Sequence, residues 1–316
     1  MNRLGPNAIA AALVLAAPAA SLAQQTPPAP QPYTVGNPIG LPVTTPAGGT
    51  FEPVSSNVKV FGAIYSAESC SYDPKRGVIV VPNRGVPQNV QTNDAFVSFI
   101  NHDGSVHTAR WIGVQNPADR DGGTTATEPS VAVIRKFSMI TGAPAGEIRV
   151  ERSTWLNDIE VAEDGTIYGT QTGDRGDNAD PNSWQVLKIT PDGKVSVFVQ
   201  GAPLKQPNGI AFDPQGNIVV VNIGTDDVIT FDASGKVVRT EKAAQAGNDG
   251  LVIMPDGTKY VSSVLNGGVS RIRPGKPAEL IARNIPSAAS MCYDAGARQL
   301  VIPMNPNNGL AFLKIE

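Results

Sequence analysis

The sequence predicts an all-β protein, a six-bladed β-propeller built from four-stranded antiparallel blades. Two interlaced series of glycine-containing turns, each flanked by β-rich runs, recur about every 40 to 50 residues. In addition, the last repeat stops one strand short, while a spare strand precedes the first repeat. The turns contain Gly77, Gly165, Gly216 and Gly257 in the first series, and Gly104, Gly193, Gly235 and Gly275 in the second. Each repeat therefore supplies two hairpins, which make four strands.

The spacing of the turns predicts the number of repeats. From Gly165 onward the turns of the first series lie 51 and 41 residues apart, whereas Gly77 and Gly165 are separated by 88 residues. We therefore expect a hidden repeat at roughly residues 114–153, where the turn signal is lost. Its strand candidates are residues 130–134 and 147–151. A sixth repeat begins near Ser287.

The two ends of the folded part predict how the ring closes. The last repeat ends at its third strand, residues 310–315, and an unassigned strand, residues 57–61, precedes the first repeat. An N-terminal strand that completes the last blade would leave only short and protected sheet edges. The alternative architecture is an open sandwich of two sheets.

Residues 1–23 are interpreted as a secretory signal peptide. Arg3 precedes the apolar run 9–17, and a small-x-small cleavage site ends at Ala23. We expect cleavage after Ala23 and a periplasmic or secreted protein. The alternative is an anchor that stays on the chain, but the apolar run is shorter than the roughly 20 residues that a span needs.

The rest of the chain divides into a tether and one domain. Residues 24–50 are rich in Pro, Thr and Gly and predict an extended tether, and residues 51–316 predict the propeller. With 41% hydrophobic residues, 17% charged residues and a net charge of -3, the composition is that of a soluble globular protein. We expect a monomer that binds a small-molecule substrate, binds no nucleic acid, and keeps no membrane span after signal removal.

The sequence lacks the residues that some common types of catalytic site require. There is no G-x-S-x-G motif, and the two histidines, His102 and His107, flank a turn on the predicted outer strands of the first blade. We expect both in a solvated hairpin far from the axis. A Ser-His-Asp triad would therefore lack its base.

The two cysteines lie on the predicted inner strands of neighbouring blades. An oxidising compartment would permit a bridge between Cys70 and Cys292. However, aligning the Tyr-Asp pair that follows each cysteine places the two thiols one residue out of step, and such a shift reverses the face of a strand. We therefore expect two buried free thiols.

One position before each turn of the first series carries an oxygen-bearing side chain. It lies eight residues before the turn glycine, or nine where the turn is one residue longer, and its members are Glu68, Asn157, Asn208 and Asp249. The first strand of each propeller blade lines the channel, so these side chains would meet at one mouth and form a hard-cation site. The alternative is that each one hydrogen-bonds its own turn backbone, as Asn and Asp often do.

We expect one divalent cation at this position. An all-oxygen ligand set suits Ca²⁺ first, with Mg²⁺, Mn²⁺ and Zn²⁺ as alternatives, and the lack of His or Cys argues against a dedicated zinc site. The same count in the sixth repeat reaches Ala289, which has no oxygen to offer. The partial ring would leave coordination positions open, as a catalytic ion requires.

The segments around these residues resemble a known family. They are Ala67-Glu68-Ser69, Leu156-Asn157-Asp158, Gln206-Pro207-Asn208-Gly209 and Asn248-Asp249-Gly250. Over nearly all of residues 51–316, the chain is similar to the six-bladed propellers of the gluconolactonase, senescence-marker-protein and luciferin-regenerating-enzyme family. The resemblance implies a divalent-cation-dependent hydrolase, typically of lactones and in some members of phosphorus esters or fluoridates. Its implied metal ligands are Glu68, Asn157, Asn208 and Asp249.

The chain departs from this family beside the implied metal site. Sugar-lactone members commonly have an Arg two residues before the first metal Asn, and that residue is Trp155 here. A flat apolar ring disfavours a polyhydroxylated substrate and favours an apolar or aromatic one. The alternative role for Trp155 is to cover the hidden blade at the rim. Further substrate contacts are expected from Arg84 and Gln171, where second strands end at the same mouth.

Two functional hypotheses from different classes follow. The first is hydrolysis of a lactone or related ester, in which the metal polarises the carbonyl and Asp249 acts as general base on the attacking water. A metal-bound hydroxide, or attack by Asp249 itself, are alternatives for the nucleophile. The second hypothesis is a non-catalytic exported propeller, whose structural channel ion stiffens the blades and which binds a protein or small-molecule partner.

Overall fold

The described part of the chain folds as an all-β propeller. The computed structural model describes residues 54–315 with the exception of 62–63, 65, 85–94, 114–131, 152, 154 and 306. Over these residues there are five four-stranded antiparallel sheets and one two-stranded sheet. The predicted signal peptide and tether lie outside these ranges. Within the ranges, no helix has the length and hydropathy needed to cross a bilayer.

The blades are numbered here after the sequence repeats that form them. The first strand of the described residues is β1 (Val58–Phe61), and blade 1 contains β2 (Ser71–Asp73), β3 (Val78–Asn83), β4 (Phe96–Ile100) and β5 (Val106–Ile112). A hairpin follows, formed by β6 (Ala132–Phe137) and β7 (Pro144–Val150). Blade 3 contains β8 (Leu156–Val161), β9 (Ile167–Gln171), β10 (Gln185–Ile189) and β11 (Val195–Gln200).

The second half of the described chain supplies the remaining strands. Blade 4 contains β12 (Pro207–Phe212), β13 (Ile218–Asn222), β14 (Asp227–Phe231) and β15 (Val237–Lys242). Blade 5 contains β16 (Asn248–Ile253), β17 (Lys259–Ser263), β18 (Val269–Ile272) and β19 (Glu279–Ala282). Blade 6 contains β20 (Cys292–Asp294), β21 (Gln299–Met304) and β22 (Gly309–Lys314). The first strand of each four-stranded repeat lies innermost, and these inner strands contact one another in the order β8, β12, β16, β20 and β2 around a channel.

The number of blades differs from the six predicted. Five four-stranded blades are described, and the hairpin β6–β7 stands where the hidden repeat was expected. The hairpin packs through Ile134 and Ile148 on the apolar cluster of blade 3. The rest of the predicted repeat, including residues 114–131, lies outside the described residues.

The N-terminal strand closes the ring as predicted. β1 pairs with β22 in antiparallel register, from Val58 opposite Leu313 to Phe61 opposite Leu310. Blade 6 therefore takes three strands from the C-terminal end of the chain and one from the N-terminal end. Asn57 adds a contact to blade 5, because its Nδ2 donates a hydrogen bond of 3.0 Å to the carbonyl of Ile281.

The middle strands show why the blades stack. All residues of β13 are buried, because a neighbouring blade covers each face of the sheet. Val220 belongs to the apolar cluster that contains Tyr168 of blade 3, whereas Val221 belongs to the cluster that contains Leu251 of blade 5. Successive residues of a strand point to opposite faces, so one apolar run holds two neighbours. The outer strand β15, in contrast, is mostly exposed.

The expectation of free thiols was wrong. Cys70 and Cys292 form a disulfide, with their Cα atoms 5.5 Å apart. The parity argument failed because Cys70 precedes β2 rather than lying within it, and because the two strands belong to different sheets that converge on the axis. Alternation along paired strands therefore does not govern this contact. The disulfide links blade 1 covalently to blade 6, on either side of the ring closure.

His102 lies on the outer hairpin between β4 and β5, as predicted, with a side chain that is 39% exposed, but it also has a buried partner that was not predicted. Its Nδ1 lies 2.8 Å from Oδ1 of Asp294, a fully buried carboxylate at the end of β20. Gln299 joins the pair, because its Nε2 donates to Asp294 Oδ2 at 2.7 Å and to the carbonyl of His102 at 2.8 Å. This polar cluster joins blades 1 and 6 a second time. His107, by comparison, is exposed on β5.

Candidate metal and substrate site

The inner strands share one irregularity near the end from which they start. In β8 the pairing with β9 passes from Leu156 opposite Gln171 to Ile159 opposite Gly169. Asn157 and Asp158 thus oppose the single residue Thr170, which is a β-bulge with one extra residue. The same shift occurs in β12 and in β16. In blades 1 and 6 an isolated bridge, Ala67–Asn83 and Ala288–Met304 respectively, lies before the regular pairing. Between this bridge and the first regular pair, the inner strand again has one residue more than its partner strand.

These registers make one position equivalent in all five blades. It directly follows the residue of the first bridge, and it is occupied by Glu68, Asn157, Asn208, Asp249 and Ala289. A bulge re-aims the side chain at its site. The common count from the turn glycines therefore has a structural basis, since every repeat carries its extra residue in the same place.

Glycines within the bulges of blades 4 and 5 bring neighbouring inner strands close together. A Cβ atom on Gly209 would collide with the carbonyl oxygen of Asp249, and a Cβ atom on Gly250 would lie 2.6 Å from the backbone nitrogen of Met291. Glycine is therefore required for this approach. In blade 3 the equivalent residue is Asp158, whose Oδ2 accepts a 3.2 Å hydrogen bond from the backbone N–H of Ile210 in blade 4.

Asn208 and Asp249 meet directly at the interface of blades 4 and 5. Asn208 Nδ2 donates a hydrogen bond of 3.1 Å to Asp249 Oδ2. The two side chains are 1% and 4% exposed. Among the described residues, no partner is present for Asn208 Oδ1 or Asp249 Oδ1, although both atoms are buried. Leaving two buried oxygens without partners costs free energy, and a cation that they bind would remove this cost.

Three carboxylates lie close enough in this region to affect one another's pKa values. Burial raises the pKa of Asp249 well above its usual value, and the negative charges of Glu68 and Asp158 raise it further. Burial also raises the pKa of Asp158 to about 7, although the hydrogen bond from the Ile210 N–H opposes this shift. The pKa of Glu68 is raised by burial and lowered by the positive charge of Arg84. The three groups thus disfavour one another's ionised forms unless positive charge is present.

Whether a cation fits depends on the side-chain atoms that could coordinate it. Within the described ranges, no three His, Cys, Asp or Glu side chains are arranged to hold an ion by themselves. The predicted set has two carboxylates, Glu68 and Asp249, and needs the amide oxygens of Asn157 and Asn208 to be complete. The unpartnered oxygens of Asn208 and Asp249 fit this chemistry, which is that of a hard, oxygen-binding cation.

Asn157 is oriented by its blade. Its Nδ2 donates to Thr172 Oγ1 at 3.0 Å, and this hydroxyl donates to the carbonyl of Pro207 at 2.9 Å. This bond uses one N–H of the amide and fixes the side chain, whose Oδ1 is the atom that can bind a cation. Asn157 lines a cavity of about 440 Å³ together with Glu68 and Asp158.

The predicted substrate residues lie in different surroundings. Arg84 is half-buried at the end of β3, and its charge acts on both Glu68 and Asp249. Gln171 ends β9, and its Oε1 is buried with no hydrogen-bond partner in the described part of the chain. Trp155 precedes β8 and is 46% exposed. The guanidinium carbon of Arg175 lies 4.5 Å from the centroid of the Trp155 ring.

Asp158 and Arg175 were missed by the sequence analysis. Asp158 carried a signal, because it replaces the glycine that follows Asn208 and Asp249 in the corresponding segments. Arg175 carried none, since it lies in the loop after β9 and its contact with Trp155 depends on how that loop folds.

Comparisons with known proteins identify the family. The model of the SMP-30/gluconolactonase/LRE-like region matches residues 67–303. The chain belongs to this family. A search of curated proteins gives no match to this member of the SMP-30/gluconolactonase/LRE-like family. Membership suggests a lactone hydrolase in general terms.

Solved structures show the same fold. A gluconolactonase from Xanthomonas campestris has a TM-score of 0.55 and 18% identity, over 90% of this chain and 99% of the other. A catalytically inactive virginiamycin B lyase from Staphylococcus aureus, solved with quinupristin, has a TM-score of 0.51 and 14% identity, over 82% of this chain and 100% of the other. At these identities the likeness concerns the fold alone.

Proposed function

We propose that the protein is an exported, divalent-cation-dependent hydrolase of a lactone or a related ester. The observation that supports this most is the pair of buried, unpartnered oxygens, Asn208 Oδ1 and Asp249 Oδ1, on adjacent blades. Buried polar atoms in native proteins usually have a partner, which can be a protein group, an ordered water or a bound ion. Family membership, which suggests lactone hydrolysis in general terms, points to the same chemistry.

The cation would be held by Glu68, Asn157, Asn208 and Asp249, which occupy equivalent positions of four blades. Ca²⁺ suits this set best, because all donors are oxygens and two are carboxylates. When bound, the ion supplies positive charge that polarises a carbonyl oxygen. The same charge would hold the neighbouring carboxylates in their ionised form.

Asp249 is the proposed general base. Its Oδ2 already accepts from Asn208 Nδ2, and this bond fixes the carboxylate while Oδ1 stays free of protein donors. In the proposed reaction Asp249 accepts a proton from water as the water oxygen bonds to the carbonyl carbon. The carbon–oxygen bond of the ester then breaks, and Asp249 returns the proton to the leaving oxygen. A base placed in this way contributes roughly 10²- to 10⁴-fold to the rate.

The rim of the channel shapes the proposed substrate preference. Trp155, which stands where sugar-lactone members commonly have an arginine, presents an exposed ring rather than a hydrogen-bond fork. Arg84 and Gln171 are proposed to contact the substrate from the ends of β3 and β9. We expect poor turnover of polyhydroxylated lactones and better turnover of apolar or aromatic esters.

Two further features complete the proposal. The hairpin β6–β7 would be half of a sixth blade, since it packs on blade 3 in the place of the second repeat. Residues 1–23 would direct export and be removed after Ala23, so the propeller would act in the periplasm or outside the cell. N-terminal sequencing of the protein purified from its compartment tests the cleavage site.

A substrate panel tests the enzymatic proposal. Purified protein is stripped of metal with a chelator and assayed on sugar lactones, alkyl lactones and aryl esters, with and without added Ca²⁺. The proposal expects turnover that needs the cation and favours the alkyl lactones and aryl esters. Absence of turnover on every substrate, in the presence of Ca²⁺, Mg²⁺, Mn²⁺ or Zn²⁺, would overturn it in favour of a binding propeller.

A further inference from the structure

Trp155 and Arg175 form a cation–π pair at the end of the channel where β8 starts. The guanidinium carbon of Arg175 lies 4.5 Å from the centre of the indole ring. Both residues are exposed, whereas Asn208 and Asp249 are almost completely buried. A ligand that enters the channel would therefore meet the pair before it reaches the buried oxygens.

The backbone that directly precedes Arg175 is held in place. The backbone N–H of Asp174 donates to Ser183 Oγ at 2.8 Å, and the carbonyl of Asp174 accepts from Trp184 Nε1 at 3.0 Å. Gly173 has a positive φ of 66° and lies against Ser183, where a Cβ atom would collide. On the other side of the pair, Thr172 N–H donates to the carbonyl of Trp155 at 3.2 Å. Both partners of the pair are thus presented by fixed segments.

The charge of Arg175 is available to a ligand. None of the ion pairs found among the described residues includes Arg175. Its positive charge nevertheless reaches the site, because it lowers the pKa of Asp249 against the effect of burial. A guanidinium over an aromatic face is held by the ring and can still donate hydrogen bonds from its N–H groups. Such a fork matches the two oxygens of a carboxylate.

We propose that the Trp155–Arg175 pair is a recognition site for a carboxylate on the non-reacting part of the substrate. The substrate class would be an apolar or aromatic lactone or ester that also carries an acid group away from the reacting bond, rather than a neutral sugar lactone. Arg175 would bind the carboxylate, and Trp155 would be the residue that positions Arg175. This inference rests on the proposed hydrolase function for its substrate, although its binding step can be measured separately.

Turnover tests the substrate class through one ratio. The kcat/KM of the 4-nitrophenyl monoester of glutaric acid is divided by that of the same ester with its free acid group converted to a primary amide. The second substrate is neutral and similar in shape. A charge-assisted pair predicts a ratio of about 10 or more in the wild type. Arg175→Gln should lower the ratio about tenfold, Arg175→Lys should lower it less, and Trp155→Leu should lower it mainly through a higher KM.

A matched control comes from a second cation–π pair. Arg110 lies over the ring of Phe96 at 4.2 Å, on the outer strands of blade 1. Arg110→Gln removes the same charge and the same kind of cation–π contact on the outer strands of blade 1, and it should leave the ratio as in the wild type. A ratio near 1 in the wild type, or an equal loss in Arg175→Gln and Arg110→Gln, would overturn the inference while turnover itself would still support the hydrolase.

Binding is measured apart from catalysis. Phenylacetate and its neutral analogue phenylacetamide are titrated into the protein while tryptophan fluorescence is recorded. Phenylacetate should bind roughly tenfold more tightly, and this preference should disappear in Arg175→Gln and persist in Arg110→Gln. Equal affinity for the two ligands would contradict carboxylate recognition. If phenylacetate is preferred but no ester is hydrolysed, the site stands as a binding site for carboxylates and the hydrolase proposal fails.

Discussion

The interface between blades 4 and 5 and the junction between blades 6 and 1 are both formed by inner strands with one extra residue, but the side chains at the equivalent positions differ. Between blades 4 and 5 the equivalent positions carry Asn208 and Asp249, which touch and keep two buried oxygens without partners. At the junction the equivalent position of blade 6 is Ala289, and the disulfide Cys70–Cys292 ties the strands together instead. The proposed functional interface therefore contains buried oxygens without hydrogen-bond partners, whereas the structural one is held by a disulfide.

Replacing Asp249 should produce the largest effect of any change in this comparison. Asp249→Asn removes the proposed base and one carboxylate ligand, so we expect kcat/KM to fall by roughly 10³-fold or more with the fold intact. Circular dichroism and steady-state kinetics measure the two quantities. Asp256→Asn, at the exposed turn of the same blade, is the matched control. A comparable loss of kcat/KM in both variants would show that Asp249 has no role beyond that of a carboxylate in an exposed turn.

The pH dependence of stability should differ between the metal-free and the metal-loaded protein. The pKa of Asp158 is about 7 in the folded state and 3.8 in its ordinary environment, so the folded state binds more protons between these values. The free energy of unfolding of the metal-free protein should therefore fall as pH rises from about 5 to 8, by about 3 kcal/mol. Added Ca²⁺ should offset the loss. Urea unfolding at the two pH values measures this.

Asp158→Asn tests the source of that pH dependence. The variant keeps the size of the side chain and removes its ionisation, so the loss of stability between pH 5 and 8 should shrink. Glu163→Gln, in the exposed turn after β8, should leave the dependence as it is. A metal-free protein that becomes more stable toward pH 8 would contradict the electrostatics described for the three carboxylates.

Breaking the disulfide should affect stability rather than the site. Cys292→Ser opens a crosslink between residues 222 positions apart, and loss of such a constraint costs about 2 to 4 kcal/mol. Thermal and urea unfolding of the variant and the wild type give the difference. The wild type should also be two protons lighter than its reduced form by mass spectrometry. Equal masses before and after reduction would show that the two thiols are free.

The smallest expected effect concerns the polar cluster at the same junction. His102→Gln removes a partner of the buried Asp294, which still keeps its bond from Gln299 Nε2 at 2.7 Å. We expect a loss of about 1 to 3 kcal/mol in the free energy of unfolding. His107→Gln, on the exposed face of β5, should change it by less than about 0.5 kcal/mol. The result is read from paired urea titrations.

Repetition made much of this fold predictable. The turn glycines fixed the hairpins, and the extra residue in each inner strand falls at the same place, so counting backwards found structurally equivalent positions. The spare strand 57–61 predicted the closure by β1 for the same reason, because each blade needs four strands. Features that recur in every repeat can be recognised from the sequence alone.

Features that occur once were missed or predicted wrongly. The Cys70–Cys292 bridge joins strands of different sheets, so parity along a strand could not predict it. Arg175 reaches Trp155 from a loop whose course depends on contacts with Ser183 and Trp184. Asp158 interrupts a repeated glycine, and a search for shared residues passes over such an exception.

Titration of the metal-free protein with Ca²⁺ tests the central claim most directly. Calorimetry should show one site per chain, which is lost in Asp249→Asn and retained in Asp256→Asn. That result would mean that the oxygens brought together by the bulged inner strands hold the ion. Binding that survives Asp249→Asn, or no binding of Ca²⁺, Mg²⁺, Mn²⁺ or Zn²⁺ by the wild type, would contradict the account.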